Sequence, residues 1–242
     1  MKELDLKISI SHLFSNLLNE ETGNIVVLKN RCEWRGIEVE FNEVNSVEEL
    51  VSSDIYFIGN GSEHQLKEVT ENINNYREKL LDERNNGSVF LGIGLGYNLL
   101  GNNIKFDNNE ITNGLALLDM NSEKKEKRFV GNVTAENNFL LPKTFVGFEN
   151  HNMVCFPQND AKPLMTVSIG KGNNGKDKTE GARFKNVFGT NLHGPVLAIN
   201  PHFADYLISL ALEKRYCKKI ELTKLDDSFE IGAHNNLIDK VY

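Results

Sequence analysis

The most informative stretch of the chain is a glycine-rich turn at residues 92–96, which follows an apolar run. Gly92, Gly94 and Gly96 alternate through the turn, and a short helical pattern comes after it. A tight strand-to-helix turn exposes one side chain and directs backbone N–H groups towards it, which is how many hydrolytic enzymes hold a nucleophile. The exposed position is Gly94. The pattern therefore predicts a nucleophile elbow that lacks its nucleophile.

A second glycine turn, Gly59-Asn60-Gly61, follows the apolar run 55–58. Beside a glycine turn from a neighbouring strand, its backbone N–H groups would stabilise a developing negative charge, as in an oxyanion hole. The alternative is a loop that uses glycine only for its backbone conformation.

Two other glycine patterns resemble nucleotide-binding motifs but do not match them. The turn at 92–96 lacks glycine at Tyr97, where a dinucleotide-binding fingerprint requires one. Residues 170–177 have the spacing of a phosphate-binding loop, but Asp177 stands where a hydroxyl should bind magnesium. We interpret residues 170–177 as a solvated hairpin loop and expect no cofactor.

His193 is the histidine best placed for chemistry, because it directly follows an apolar strand pattern. A structural role is the alternative, and His151 is a weaker candidate of the same kind. Cys32, Cys155 and Cys217 form no closely spaced pair, so neither a disulfide framework nor a zinc cluster is indicated. Cys155 has no spacing that would place it over the turn at 92–96. We expect no metal site.

The elements that position these residues follow from apolar periodicity. The first half predicts strands at 4–10, 37–44, 55–58 and 89–93, with helices at 25–34 and 63–83. The second half predicts short strands at 115–118, 128–135, 144–149, 165–169, 182–184 and 187–192, then a helix at 201–215. Alternating strands and helices indicate an α/β fold with a mostly parallel sheet flanked by helices. We expect the later strands to be additional, antiparallel strands on that same sheet.

Composition favours one large domain over residues 1–242, with the tail 216–242 left unassigned. The net charge of −7 at pH 7 argues against a nucleic-acid or membrane-surface binder and favours small-molecule or protein partners. The sequence offers no membrane span and no signal peptide, which predicts a cytoplasmic protein.

Taken together and in order, four motifs resemble the class I glutamine amidotransferases. They are Gly92-Ile93-x-Leu95-Gly96-Tyr97, Gly59-Asn60-Gly61, Gly147-Phe148-Glu149-Asn150-His151 and Leu192-His193-Gly194-Pro195. The resemblance covers roughly residues 4–215 and is strongest to the cobyric-acid-synthase-like branch, especially to amidotransferase subunits of lipid II isoglutaminyl synthase.

The resemblance implies a flavodoxin-like domain in which a cysteine attacks the amide of glutamine and a histidine acts as base. Ammonia then passes to a Mur-ligase-like partner subunit, in a heterodimer that amidates the glutamate of a peptidoglycan precursor. His193 matches the family histidine and Arg128 matches a residue that holds the substrate glutamine. Gly59, Asn60 and Gly61 match the oxyanion loop, and Leu95 of the elbow completes the substrate-binding set.

The sequence departs from the family pattern at positions that carry the chemistry in the family. Gly94 replaces the nucleophilic cysteine, Asn98 replaces a glutamine one helical turn later, and Pro195 stands where other branches carry a glutamate. Glycine cannot form a thioester, so the first hypothesis is a subunit without glutaminase activity that binds a partner and still binds glutamine or a related molecule. The alternatives are an active glutaminase that uses another residue, such as Cys155, and a non-catalytic ligand-binding module.

Overall fold

The computed structural model describes residues 5–239, which form thirteen strands and seven helices. The strands are β1 (Lys7–Leu13), β2 (Glu38–Val44), β3 (Ile55–Ile58), β4 (Val89–Ile93), β5 (Asn103–Lys105), β6 (Ile111–Asn113), β7 (Met120–Glu136), β8 (Thr144–Pro157), β9 (Met165–Ile169), β10 (Thr179–Glu180), β11 (Ala182–Phe184), β12 (Val187–Thr190) and β13 (Leu192–His193). The helices are α1 (Gly23–Glu33), α2 (Glu63–Glu71), α3 (Asn74–Asn85), α4 (Leu95–Leu99), α5 (Val196–Ile199), α6 (Pro201–Tyr216) and α7 (Ser228–Asp239).

The first sheet is mostly parallel and has the strand order β11-β12-β4-β3-β1-β2. The neighbouring pairs from β2 to β12 are parallel, and only the edge strand β11 is antiparallel. Without β11, the order is that of a flavodoxin-like doubly wound sheet. The predicted α/β class with a flavodoxin-like parallel sheet and added antiparallel strands is therefore confirmed.

Helices cover both faces of this sheet, which explains why its central strands are apolar on both sides. On one face, α1 and α6 contribute Ile25, Leu28, Phe203 and Leu207 to a buried cluster. On the other face, α2 and α3 contribute another set of apolar side chains, which are Leu66, Val69, Tyr76 and Leu80. The sheet is thereby held between two apolar layers, and the carboxyl ends of its strands remain free to carry a site.

The expectation that the later strands extend the parallel sheet is wrong for most of them. Strands β5 to β10 and β13 form a second sheet, built around the long antiparallel pair β7 and β8. The first sheet has only two edges, which β2 and β11 occupy. The long strands satisfy their backbone groups by pairing with each other instead. Only β11 and β12 join the first sheet.

Two further elements differ from the sequence prediction. Residues 115–118 form no strand, because the N–H groups of Leu115, Leu117 and Leu118 bond to the carbonyls of Leu99 and Leu100 at the end of α4. The segment therefore satisfies carbonyls at a helix C-terminus rather than a sheet edge. The single helix predicted at 63–83 is two helices, interrupted where Asn72 leaves the helical region at φ −114° and ψ 11°.

The tail left unassigned by the sequence contains α7, which is anchored to α1. Arg31 of α1 is buried and bonds both Asp205 of α6 and Asp227 just before α7, at 2.6 Å each. Paired carboxylates compensate a buried guanidinium that would otherwise be costly. Among the helices of residues 5–239, none combines the length and apolar character needed to cross a membrane.

Candidate active site

A cavity of about 270 Å³ opens where the first sheet meets the second. Asn60 and Gly94 line it just after the carboxyl ends of β3 and β4 of the first sheet, and His193 lines it from β13, the short strand that follows β12. Arg128, Asn150 and His151 line it from β7 and β8 of the second sheet. Most residues singled out by sequence therefore meet at the edge of the sheet where α/β folds bind ligands, whereas Gly59 does not line the cavity.

The elbow forms as predicted between β4 and α4, and Gly94 is its apex. The backbone of Gly94 has φ 57° and ψ −116°, a region that side chains other than glycine rarely adopt. Its N–H donates to the carbonyl of Thr190 at 2.9 Å. Two residues on, Gly96 lies so close to the carbonyl of Ile58 that a Cβ atom would collide with it. The absence of a side chain at Gly96 thus lets the elbow pack directly against the end of β3.

The Asn60 side chain covers the elbow from the neighbouring loop. The backbone N–H of Leu95 donates to Asn60 Oδ1 at 3.0 Å, and Asn60 Nδ2 donates to Glu20 Oε2 at 2.6 Å. A Cβ atom at position 94 would lie 2.5 Å from Asn60 Oδ1. The amide after the nucleophile position is therefore already occupied by a side chain of the chain itself.

His193 lies beside the elbow and is oriented by a carboxylate. Its Nδ1 is 3.1 Å from Oε1 of Glu21, and its Cε1 would be 3.0 Å from a Cβ atom at position 94. A carboxylate only accepts hydrogen bonds, so Nδ1 carries the proton of the neutral ring and Nε2 carries the lone pair. This is the arrangement of a general base held by a third group. Gly94 offers it no hydroxyl or thiol to deprotonate.

Glu21 is the functional residue that sequence reasoning missed. Its backbone has φ 66°, an uncommon conformation for glutamate, immediately before α1. Pro195, which stands where other branches of the resembled family carry a glutamate, packs against Gly23 so closely that a Cβ atom on Gly23 would overlap it. The carboxylate thus reaches His193 from 172 positions away in the chain. The only local signal was an acidic residue next to a helix start, which is common for other reasons.

Arg128 lies exposed at the mouth of the cavity, on a segment where the register of β7 and β8 shifts between Lys124 and Phe129. Lys124 fixes this segment by bonding Glu63 of α2 at 2.7 Å and Asp107 at 2.8 Å. The bulged strand thereby brings a guanidinium to the entrance, where it can bind a carboxylate.

His151 belongs to the cavity although the sequence ranked it below His193. It is 6% exposed, and its Nδ1 bonds the carbonyl of Met153 at 2.8 Å. Burial lowers the pKa of His151 to about 4, so the ring is neutral at pH 7. A neutral ring with Nδ1 as donor keeps its lone pair on Nε2, as in His193.

Cys155, which the sequence suggests as an alternative nucleophile, lies outside the cavity. It is fully buried beneath α4, where Asn98 Nδ2 donates to its Sγ at 3.0 Å. Burial raises the pKa of Cys155 to about 12, which suppresses the reactive thiolate. Cys32 is likewise buried, with its pKa raised by burial to about 12, whereas Cys217 is exposed at the end of α6. None of the three cysteines lines the cavity.

The loop at 170–177 connects β9 and β10, as expected of a hairpin, but it is not simply solvated. The N–H groups of Lys171 and Gly172 donate to the two oxygens of the buried Glu149, at 2.8 and 2.9 Å. Asn173 is fully buried and accepts a hydrogen bond from the hydroxyl of Tyr97. The loop's backbone amides therefore bind a carboxylate of the protein itself, and the Asn173 side chain contacts Tyr97 of α4. Within residues 5–239, no three or more His, Cys, Asp or Glu side chains are grouped in a way that could hold a metal ion.

Comparison with known proteins relates most of the chain to one family. Residues 9–201 match the CobB/CobQ-like glutamine amidotransferase domain. The chain is 34% identical over 238 residues to the lipid II isoglutaminyl synthase (glutamine-hydrolyzing) subunit GatD of Staphylococcus aureus (strain N315), covering 97% of this chain and 96% of that protein. It is 32% identical to the subunit of the same name from Streptococcus pneumoniae (strain ATCC BAA-255 / R6), over 91% of this chain and 86% of the relative.

Solved structures agree with the fold. A crystal structure described as a glutamine amidotransferase aligns with a TM-score of 0.59 and 18% identity, over 84% of this chain and 98% of the other. The PurLQS structure from Thermotoga maritima also aligns with a TM-score of 0.59, at 15% identity, over 88% of this chain and 100% of the matched chain. At these identities the likeness concerns the fold alone.

Proposed function

Because the chain belongs to the family of CobB/CobQ-like glutamine amidotransferase domains, we propose that it is the amidotransferase-like subunit of a complex that amidates a peptidoglycan precursor. In this proposal the chain assembles with a Mur-ligase-like subunit, and the complex acts on the glutamate of lipid II. The similarity to two GatD subunits over nearly their whole length supports this role. We further propose that the chain does not hydrolyse glutamine itself.

The observation that carries the second part is the glycine at the apex of a well-formed elbow. Attack on the amide carbon of glutamine needs a nucleophilic atom at this position, and Gly94 supplies none. His193 and Glu21 keep the geometry of a general base and its orienting carboxylate. A general base without a nucleophile leaves only ligand binding. In enzymes that use a nucleophile and a base in this way, removal of the nucleophile lowers the rate by several orders of magnitude.

Use of another residue as nucleophile is not supported by the surroundings of the elbow. Cys155 is buried beneath α4 and outside the cavity lining, and its pKa is raised to about 12. A water molecule activated by His193 would attack the amide carbon of glutamine without help from the Leu95 N–H. That N–H cannot stabilise the developing charge on the glutamine oxygen, because it already donates to Asn60. Both routes therefore lack a component that hydrolysis requires.

The decisive experiment supplies the complex with two nitrogen sources. The purified chain and the Mur-ligase-like subunit of the same organism are given ATP, lipid II and either glutamine or ammonium chloride, and amidated lipid II and free glutamate are measured. We expect amidation with ammonium and none above background with glutamine. A family member that carries cysteine at the elbow, with its own ligase, is the positive control. Glutamine-dependent amidation with stoichiometric glutamate would overturn the proposal.

A second candidate function, ligand binding without catalysis, is favoured by the cavity that remains at the elbow. Arg128 at its mouth suits a carboxylate, and the neutral ring of His151, which also lines the cavity, suits a hydrogen-bond donor. An amino acid such as glutamine carries both groups. Calorimetric titration with glutamine, glutamate and phosphate tests this function, and binding by none of the three would contradict it.

A further inference from the structure

We propose that the Asn60 side chain occupies the part of the cavity beside the Leu95 N–H, and that it controls whether a carboxamide ligand can bind there. The proposal deepens the proposed function and rests on it, since it concerns the same cavity. It identifies a specificity-determining residue in the oxyanion loop, beyond the loss of the nucleophile at Gly94.

The first observation is that Asn60 uses the group a ligand would need. The N–H of Leu95, the residue after the elbow apex, donates to Asn60 Oδ1 at 3.0 Å. In an oxyanion hole this N–H binds the carbonyl oxygen of the bound amide. The Asn60 side chain is itself a carboxamide, so it presents to Leu95 the same chemical group as the end of glutamine.

The second observation is that the Asn60 side chain is tied in this position. Its Nδ2 donates to a carboxylate oxygen of Glu20 at 2.6 Å, a short charge-assisted hydrogen bond. Both the oxygen and the nitrogen of the carboxamide are thus hydrogen-bonded, and a ligand must break the bond to Leu95 in order to reach its N–H.

The third observation is steric. A Cβ atom at position 94 would lie 2.5 Å from Asn60 Oδ1 and 2.9 Å from Asn60 Cγ, both closer than real Cβ contacts. The carboxamide therefore fills the space above the elbow that a nucleophile side chain needs. Glycine at 94 and asparagine at 60 fit each other, and a thiol added at 94 alone would meet an obstructed site.

The contrary view is that Asn60 only joins two loops. The backbone of Asn60 already does this, because the Glu20 N–H bonds the Asn60 carbonyl at 3.0 Å and the Asn60 N–H bonds the Glu20 carbonyl at 3.3 Å. These bonds exist whatever side chain stands at position 60. The carboxamide is thus not needed to hold the loops together, and we assign it to the cavity.

The test compares glutamine binding by the full chain and by Asn60→Ala, measured by titration calorimetry. Removal of the carboxamide frees the Leu95 N–H, so we expect Asn60→Ala to bind glutamine at least tenfold more tightly than the wild type. Asn152→Ala is the matched control, because it removes a second carboxamide that lines the same cavity, and it should not tighten binding. Equal binding by Asn60→Ala and the wild type, or no binding by either, would overturn the proposal.

A second arm measures glutamate release by Gly94→Cys, Asn60→Ala and the double variant. We expect the double variant to be at least a hundredfold faster than Gly94→Cys alone, and melting temperatures verify that each variant is folded. Equal rates for Gly94→Cys and the double variant would count against an obstructing role of Asn60. The proposed function fails on a different result, namely glutamate release by the wild-type chain, so the two proposals are tested separately.

Discussion

At the scale of single residues, the elbow combines an unusual backbone conformation at Gly94 with a neighbouring side chain that fills the space above it. Gly94 has a positive φ that is strained for any side chain, and Asn60 fills the volume above it. The two effects are separable, because strain acts on the residue at 94 itself, whereas shortening Asn60 removes the two closest contacts of a Cβ atom there and leaves His193 Cε1 at 3.0 Å. Stability measurements on variants of Gly94 and Asn60 can therefore separate the backbone strain from the steric conflict between the two residues.

We expect Gly94→Ala to destabilise the chain by about 2 to 4 kcal/mol, through backbone strain together with overlap with Asn60. Gly36→Ala is the matched control, because Gly36 also has a positive φ, 68°, but open space around its Cβ position. It should cost about 1 to 2 kcal/mol. Urea denaturation measures both.

Asn60→Ala should recover about 1 kcal/mol or more of the Gly94→Ala loss when the two changes are combined. Additive losses in this double-mutant cycle would mean that the two side chains do not compete for space.

Glu180 gives a pH-dependent prediction. It is fully buried, and burial raises its pKa from 4.5 to about 7, although Thr190 Oγ1 and the Asn191 N–H donate to its Oε1. The folded state therefore holds a proton that the unfolded state releases between pH 4.5 and 7, so this residue makes stability fall as pH rises through that range. The slope is about 1.4 kcal/mol per pH unit.

Glu180→Gln keeps the acceptor oxygen but cannot ionise. Relative to the wild type, we expect its free energy of unfolding to increase steadily from pH 4.5 to pH 7 and then to level off. Because His151 and His202, with pKa values lowered by burial to about 4, give the opposite pH trend in both proteins, the difference between the two isolates Glu180. A difference that does not change with pH would refute this account.

At the scale of elements, α7 is held to the rest of the chain by buried charge. Arg31 is 2% exposed and its guanidinium bonds Asp205 and Asp227, which brings α1, α6 and the start of α7 together. Hydrogen bonds between charged groups contribute more than neutral ones, about 1.5 to 3 kcal/mol each. Loss of one carboxylate should loosen α7 while leaving the elbow in place.

We therefore expect Asp227→Asn to raise the rate of amide hydrogen exchange in residues 228–239 and to lower stability by about 1 to 3 kcal/mol. Asp226→Asn is the control, because the neighbouring Asp226 accepts hydrogen bonds from Ser228 rather than from Arg31. Hydrogen exchange with mass spectrometry reads out both variants. Unchanged protection of α7 in Asp227→Asn would show that apolar contacts alone hold the helix.

The sequence predicted elements well where apolar periodicity is local. Strands β3, β4 and β9 and helices α1 and α6 lie where the patterns place them, within a few residues. It failed where tertiary contacts decide, as at residues 115–118, whose apolar alternation satisfies a helix end instead of a strand partner. The second sheet was missed for the same reason, because alternation along β7 and β8 does not reveal which strand pairs with which.

The sequence predicted those residues of the candidate site that lie in glycine turns or near strand ends. Gly94, Asn60, His193 and Arg128 all line the cavity. Glu21 escaped because its contact with His193 is long-range and depends on an unusual backbone conformation. The position of Asn60 over Leu95 escaped too, since a rotamer that faces an amide leaves no trace in sequence spacing.

At the scale of the whole molecule, the two sheets share a buried apolar cluster. Ile8 and Ile10 of the first sheet belong to the same buried cluster as Val133, Ala135 and Phe145 of the second. Neither sheet could expose its share of this cluster without a large loss of apolar burial. This continuity supports the single domain that we propose for the chain.

A single domain predicts one cooperative unfolding transition. The only tryptophan, Trp34, lies at the end of α1 and reports locally by fluorescence, whereas far-ultraviolet circular dichroism reports on all elements. We expect the two urea denaturation curves to coincide. Two separated transitions would indicate that the sheets unfold independently and would contradict the single-domain assignment.

The burial of two of the three thiols makes the chain a convenient subject for site-specific labelling. Cys32 and Cys155 are inaccessible and have strongly raised pKa values, whereas Cys217 is exposed at the C-terminus of α6. A maleimide dye or spin probe should therefore attach at one known point of the wild-type protein. Energy transfer or spin relaxation from that point would measure how a second subunit approaches, without any engineered cysteine.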